Sequence, residues 1–273
     1  MATTPHACET CPVHAEMAQL GAAEGGFDAV IALAGNPNTG KSTLFNALTG
    51  LRQHTGNWPG KTVTRAEGGF QFAGKRYKLV DLPGTYSLLS ASDDEEVARN
   101  FLLFGRPDCT VVVVDASALE RNLYLALQVL EITDRVVLAV NLMDEAKRRG
   151  LDVDTRSLAR DLGVPAIPIV ARTSENVMAL LQEVANVVSG ETVTSPLRSK
   201  GTAEFERAVT KLVPMIEAAA PGVPNARWIA IRLLDGDASV EEALTSGRLA
   251  ELVKRQQAPD MRFSRKIALQ GAQ

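Results

Sequence analysis

The sequence is short of cysteine, of aromatic residues and of long apolar runs. Three cysteines, Cys8, Cys11 and Cys109, are too few for a disulfide framework. No apolar run approaches the roughly 18–20 residues that a membrane helix needs, and the run Cys109–Val114 stops at Asp115. No basic region followed by an apolar stretch opens the chain, so no signal peptide is expected. An excess of one charge is also missing: 29 basic against 32 acidic residues give a net charge of −3. That balance does not supply the strong cationic field of a general nucleic-acid binder. What remains is 45% hydrophobic and 22% charged residues over 273 positions, the composition of a globular chain of one or two domains. The expectation is a soluble cytosolic chain.

From Phe27 onward, short β-branched runs alternate with helical patterns. The runs Ala29–Ala34, Tyr77–Val80, Thr110–Val114, Val136–Val140 and Ala166–Val170 lack strict alternation, as expected of strands buried on both faces of a parallel sheet. Gly69–Ala73 with Gly74 reads as a hairpin into Tyr77–Val80, forming an antiparallel edge strand. Helices are predicted over Ser42–Leu48, Glu95–Phe104, Leu119–Ile132, Ser157–Leu162 and Asn176–Val188. The predicted fold is α/β, a mostly parallel six-stranded sheet flanked by helices, over residues 28–189. Residues 1–27 read as a flexible arm and residues 190–202 as a linker. Residues 203–273 read as a small all-helical domain with helices over Ala203–Ala218, Ser239–Leu244 and Ser246–Gln256. The basic stretch Arg248–Lys266 is either a solvated helix face or a segment close to an anionic membrane surface.

Three short segments carry chemistry. Gly35-Asn36-Pro37-Asn38-Thr39-Gly40-Lys41-Ser42 has the spacing of a phosphate-binding loop between a strand and a helix. Its glycines let successive N–H groups converge on phosphate oxygens, and the helix N-terminus adds a positive dipole end. Lys41 is placed to reach the β- and γ-phosphates, Ser42 to bind Mg²⁺, and Thr43 to line the cradle. Asp81-Leu82-Pro83-Gly84 ends a strand; Asp81 is expected to hold Mg²⁺ through a water, and the Gly84 amide to sense the γ-phosphate. Asn141-Leu142-Met143-Asp144 also ends a strand, about 100 residues further on, where ligands bind in α/β sheets. The Asp144 carboxylate suits the N1–H and 2-amino group of guanine, which adenine does not offer; Asn141 is expected to brace the loop and touch the purine edge. The backbone of Val170-Ala171-Arg172 is expected to close over the base.

These elements, in this order, resemble the translation-factor-related class of small GTPases, whose fold is the P-loop GTPase fold. The stretches GNPNTGKSTLFNALTG (35–50), GNWPGKTV (56–63), DLPGTYS (81–87) and ERNLYL (120–125) resemble more closely the cytosolic G domain of the ferrous iron transport protein B family. The resemblance covers about residues 28–188. It implies a helical domain after the G domain, then a membrane permease domain for Fe²⁺ that lies outside this chain. It further implies a cytoplasmic location at the bacterial inner membrane and self-association through the helical domain. It places switch I at about His54–Thr64, with Gly60, Lys61, Thr62 and Val63 at the nucleotide and Thr62 on Mg²⁺ and the γ-phosphate. Switch II falls at about Gly84–Glu96. Thr85 stands where Ras-like proteins carry a water-orienting Gln, so Thr62, backbone groups or the acidic residues Asp93–Glu96 must orient water, and intrinsic turnover is expected to be slow. Asn38 is either a K⁺ ligand beside the phosphates or a brace of the loop. The catalytic set is therefore Lys41, Thr62, Gly84 and Asn38, acting on GTP with Mg²⁺ and K⁺.

Two other functions fit part of the sequence. A ribosome- or RNA-associated GTPase would share the loop and base motifs, but the negative charge and the lack of an RNA-binding motif in residues 203–273 argue against it. The segment His6-x-Cys8-x-x-Cys11-x-x-His14 either belongs to a plain arm or ligates a metal that feeds the switch. Cys109 opens an apolar strand and reads as a buried structural thiol.

Overall fold

The computed structural model describes residues 26–50, 53–58, 61–89, 92–198 and 200–257. The His6–His14 segment, Gly60 and the part of the basic stretch beyond residue 257 lie outside the described residues.

The strands are β1 (Ala29–Gly35), β2 (Gln53–Asn57), β3 (Thr64–Phe72), β4 (Lys75–Asp81), β5 (Cys109–Asp115), β6 (Val136–Asn141) and β7 (Ala166–Pro168), forming one seven-stranded sheet of order β2-β3-β4-β1-β5-β6-β7. Five strands, β4 to β7 in that order, pair parallel, whereas β2 and β3 add antiparallel to β4. The sheet thus has one strand more than the six expected, and β3 is not its edge. β2 hides in the sequence because Gln53-His54-Thr55-Gly56-Asn57 has no apolar alternation; pairing with the polar first half of β3, which also starts earlier than expected, creates it. The β3–β4 turn has Ala73 at φ 47° and Gly74 at φ 75°, the two positive dihedrals of a type I′ hairpin.

Alternation along the parallel strands feeds two cores. Ile31, Leu33, Leu79, Val111 and Val113 face α1 (Lys41–Thr49) and α6 (Val177–Ser189), through Leu44, Phe45, Leu180 and Val184. Ala32, Ala34, Val80, Val112 and Val114 face the other way, towards α2 (Asp93–Asn100), its π-helical continuation Phe101–Gly105, and α3 (Leu119–Ile132). The remaining helices of the α/β unit are α4 (Met143–Arg148) and α5 (Thr155–Leu162). α4 escapes sequence reading because it has six residues and buries only Ala146.

The chain then runs extended over the sheet's second face. The amide of Ser195 donates to the Gly163 carbonyl (3.0 Å) and that of Leu197 to the Leu162 carbonyl (3.1 Å). A Cβ on Gly163 would lie 2.0 Å from the Ser195 carbonyl oxygen, so this strap needs glycine there. Arg198 Nε donates to the Leu130 carbonyl at 3.1 Å. The segment expected as a linker is therefore hydrogen-bonded to the α/β unit between residues 192 and 198.

Four helices follow: α7 (Ala203–Ala219), α8 (Ala226–Leu234), α9 (Ala238–Thr245) and α10 (Arg248–Gln257). α8 was not expected, because Ala226-Arg227-Trp228-Ile229-Ala230-Ile231-Arg232-Leu233-Leu234 is apolar on most sides and shows no period. Asn225 starts it, accepting from the Trp228 amide at 3.0 Å while its Nδ2 donates to the carbonyls of Glu131 (2.8 Å) and Ile132 (2.9 Å) at the end of α3. Val209, Ile216, Trp228 and Ile229 belong to the same apolar cluster as Leu125 and Val129 of α3. The helical unit thus shares a core with the sheet. No helix among the described residues is long and apolar enough to cross a membrane.

Candidate functional site

The phosphate-binding loop leaves β1 and closes on itself through Thr39, whose hydroxyl donates to the Asn36 carbonyl at 2.9 Å. Gly40 starts α1 with φ 81°, a left-handed conformation, and a Cβ there would lie 2.3 Å from Asn141 Nδ2. Glycine is required twice, for the dihedral and for the space. Asn38 also has a positive φ of 67° and stands exposed; asparagine tolerates that region better than most residues. Pro37 is half-buried, and Ser42 and Thr43 are exposed at the start of α1. Asn36 is buried with neither side-chain polar atom hydrogen-bonded among the described residues, a polar group at the cradle that a bound ligand can satisfy.

The Lys41 ammonium is held by the Asp81 carboxylate and by the Leu82 carbonyl, the latter at 2.7 Å. Burial acts to raise the Asp81 carboxyl and Lys41 acts to lower it; burial prevails. Two of the three ammonium donors are thus engaged at the end of β4, which leaves one for a further acceptor. Pro83 follows, and a Cβ on Gly84 would be 3.5 Å from Pro37 Cα, so this turn rests against the loop. Thr85 is buried, and its side chain is not free to orient water, whereas Tyr86 is exposed under the Arg121 guanidinium, 4.4 Å from the ring centre.

Asn141 is the hinge pin of the site. Buried to 1% exposure, it donates from Nδ2 to the Thr39 carbonyl (2.8 Å) and accepts at Oδ1 from the Ala171 amide (2.9 Å). One side chain ties the phosphate loop to the loop after β7; both its polar ends serve as the expected brace. Leu142 then takes φ 63°, a costly dihedral for leucine, and turns the chain so that Asp144 falls in the first turn of α4. Asp144 accepts from Arg172 Nη2 at 3.2 Å. Burial opposes its charge, but the hydrogen bonds from Arg172 and the Glu145 amide, with Arg148 beyond, hold the carboxyl below its ordinary range. Beside it opens a cavity of about 630 Å³ lined by Met143, Asp144, Val170 and Glu175, among others. Val170 and Ala171 are buried, and their loop closes through paired bonds of 3.2 Å between Val170 and Glu175. The role of the Arg172 side chain was missed by sequence reading, which asked only for backbone here; its partner lies 28 residues away, and no local pattern marks it.

The switch I segment is only partly a loop, since it opens with β2. Thr62 is exposed and Val63 buried behind it. The Lys61 ammonium does not turn to the cradle: it donates to Asp93 Oδ1 (2.7 Å) and Glu96 Oε2 (2.9 Å) of α2. Those hydrogen bonds outweigh the effect of burial and raise the Lys61 pKa, while the same ammonium and Arg248 hold Glu96 below its ordinary range against burial. Asp93 and Glu96, expected as possible water-orienting groups, are engaged in these ion pairs. Cys109 is fully buried, and burial pushes its thiol far up, as a structural thiol requires.

The chain is similar to known proteins over most of its length. The family profile of ferrous iron transport protein B matches residues 29–184, and that of the FeoB cytosolic helical domain matches residues 202–261. The Fe(2+) transporter FeoB of Escherichia coli strain K12 is 39% identical over 213 residues, covering 76% of this chain and 27% of that protein. The Salmonella typhimurium Fe(2+) transporter FeoB is 39% identical over 218 residues. The chain thus matches about a quarter of the length of these curated relatives. Among solved structures, the cytosolic domain of L. pneumophila FeoB aligns with TM-score 0.72 and 36% identity, over 85% of this chain and 90% of that one. The cytosolic domain of T. maritima FeoB in a GDP form aligns with TM-score 0.73 and 33% identity, over 84% and 93%. The T. maritima FeoB G domain alone is 43% identical over 58% of this chain and 98% of that one, with TM-score 0.55. The chain therefore belongs to the ferrous iron transport protein B family and carries its G domain and cytosolic helical domain.

Proposed function

We propose that this chain binds GTP with Mg²⁺, hydrolyses it to GDP and phosphate, and thereby switches an Fe²⁺ transporter. The observation that supports this best is Asn141, which joins the phosphate loop to the loop after β7 while Asp144, three residues on, stays partly exposed. In the proposed complex Asp144 accepts from the guanine N1–H and 2-amino group. Leaving that carboxylate unsatisfied costs a few kcal/mol, which sets selectivity against adenine.

The donors Ser42, Thr62 and Asp81 are all oxygens, as a hard divalent cation requires. These residues would hold Mg²⁺, which would supply positive charge to offset that of the bound phosphates. Lys41 exchanges Asp81 for phosphate oxygens, and the loop amides bind the same anion. Water attacks the γ-phosphorus in line; its oxygen forms the new P–O bond as the bond to the β-bridging oxygen breaks. Thr62 and the Gly84 amide orient that water and sense the γ-phosphate, since Thr85 is buried and Asp93 and Glu96 are paired. Asn38, exposed on the loop, offers its side-chain oxygen to K⁺, which stabilises charge developing between the phosphates. Loss of the γ-phosphate removes the preference for one switch state.

In this reading residues 28–189 act as the G domain, and the helical unit from residue 203 passes the switch state to a membrane permease at the cytoplasmic face of a bacterial inner membrane. Self-association through the helical unit belongs to the same proposal. The relatives and both domain matches favour it over an RNA-associated GTPase.

Single-turnover GTP hydrolysis in K⁺ and in Na⁺ at equal ionic strength tests it. Faster hydrolysis in K⁺, lost in Asn38→Ala, is expected. Equal rates in both salts would reduce Asn38 to a brace, and no hydrolysis in either would overturn the GTPase reading.

A further inference from the structure

Lys61 immediately precedes Thr62, and its ammonium is carried by the α2 carboxylates rather than by the cradle. Glu96 has a second partner. Its Oε1 accepts from Arg248 Nη2 at 2.8 Å, and Arg248 opens α10 in the helical unit, 152 residues away. One carboxylate therefore holds switch I with one oxygen and the helical unit with the other. The surrounding turn is folded onto the same helix. The Trp58 amide donates to the Val63 carbonyl (2.9 Å), the Lys61 amide to the Trp58 carbonyl (3.0 Å), and the Trp58 ring meets Phe101 edge-on at 5.4 Å.

The other side of α2 is bolted down. Arg99 is 5% exposed, donates to Ser239 Oγ at 3.2 Å, lies 3.9 Å from Asp237 and sits 6.0 Å from the centre of the Trp228 ring. The Arg99 contacts are buried, whereas Lys61 and Asp93 are partly exposed and exchange partners more readily. α2 is thus tied to the helical unit by buried contacts and to Lys61 by more exposed ones.

We infer that Lys61, Glu96 and Arg248 form a relay through which the helical unit positions switch I, with Thr62 as the residue it places. Lys61, Glu96 and Arg248 are positioning residues and touch no nucleotide. The inference rests on the proposed function for what Thr62 then does, but the contact chain itself stands without nucleotide. Because coupling between sites is reciprocal, a change of Thr62 on nucleotide binding shifts the Arg248 contact by the same free energy.

The sequence holds two tryptophans, Trp58 and Trp228, so Trp228→Phe leaves Trp58 as the sole reporter of the switch I turn. In that background and without nucleotide, acrylamide quenching is compared for Lys61→Met, Arg248→Met and the double variant. Each single change is expected to raise Trp58 quenching. The rise in the double variant should fall short of the product of the singles by at least about twofold, as for residues in one network. Lys61→Arg and Arg248→Lys should retain the parent value; Arg248→Gln replaces Arg248→Met if the latter lowers the melting temperature. Unchanged quenching in the Arg248 variants, or effects that simply multiply, overturns the relay.

A second readout is the affinity ratio of a non-hydrolysable GTP analogue to GDP, expected to shift about threefold or more in both single variants. A quenching change with no shift in that ratio removes Thr62 as the target. Failure of the parent chain to bind either nucleotide would sink the proposed function while leaving the quenching result in force.

Discussion

The cradle and switch I differ in how deeply their contacts are buried, although each includes an ion pair, Lys41–Asp81 at the cradle and Lys61–Asp93 at switch I. At the cradle, neutral hydrogen bonds are buried: Asn141 at 1% exposure spans two loops, and Gly40 fits against it with no room for a methyl group. At switch I the contacts are charged and partly exposed, with the side chains of Lys61 and Asp93 at 25% and 56% exposure. A buried neutral contact is expensive to leave unmade, so it fixes geometry. An exposed ion pair is worth little and exchanges partners readily. The molecule thus sets a part fixed by buried contacts beside a part held by exposed, exchangeable ones.

The comparison can be broken at the rigid end first. Gly40→Ala should abolish nucleotide binding, because the new Cβ collides with Asn141 at a dihedral that alanine resists; calorimetric titration with GDP that still shows wild-type affinity would refute the fit. Asn141→Ala should lower stability by about 2–6 kcal/mol, since it strands the Thr39 carbonyl and the Ala171 amide at about 1–3 kcal/mol each; urea unfolding reads this directly. Asp144→Asn should leave the fold intact and weaken GTP by about 2–3 kcal/mol, relaxing the preference over ATP; competition binding with both nucleotides decides it. At the adjustable end the effect on binding should be smallest. Thr62→Ala is expected to change GDP affinity by no more than about 0.5 kcal/mol while slowing single-turnover hydrolysis by about tenfold or more. A variant that turned over at the parent rate would remove Thr62 from the mechanism.

Acid should act on the bolt between the units. Burial pushes the Asp237 carboxyl up, but hydrogen bonds from Ser239 and Arg232 and the charges of Arg232 and Arg99 outweigh it and hold it below its ordinary range. A carboxyl depressed on folding contributes stability above its unfolded pKa of 3.8 and loses it as the pH falls through the folded value. Asp237→Asn should therefore flatten the fall of thermal stability with pH below about 4.

Much of the fold was legible because its signals are local. Leu119–Ile132 was read to the residue, since an apolar face at helical spacing runs its whole length, and the parallel strands announced themselves as unbroken β-branched runs. The phosphate loop was legible because its glycines, lysine and serine act within eight consecutive positions. β2 was not, because a polar edge strand exists only by virtue of its partner. Nor was α8, whose apolar residues face two neighbours at once and erase the period. At the site, the brace role of Asn141 was readable from its place after a strand, but the partner that Asp144 finds in Arg172 was not, and neither was the capture of Lys61 by α2.

The sequence by itself determined the order of the main elements, the phosphate loop and the carboxylate of Asp144 after β6, because each depends on residue types at short spacings. Only the tertiary structure decided that the sheet gains a seventh strand, that the strap through Ser195 lies docked, and that Glu96 stands between Lys61 and Arg248. Those contacts join residues up to 152 positions apart. No local propensity encodes such a pair: it arises when a shared apolar core brings two surfaces together and leaves their charges within reach.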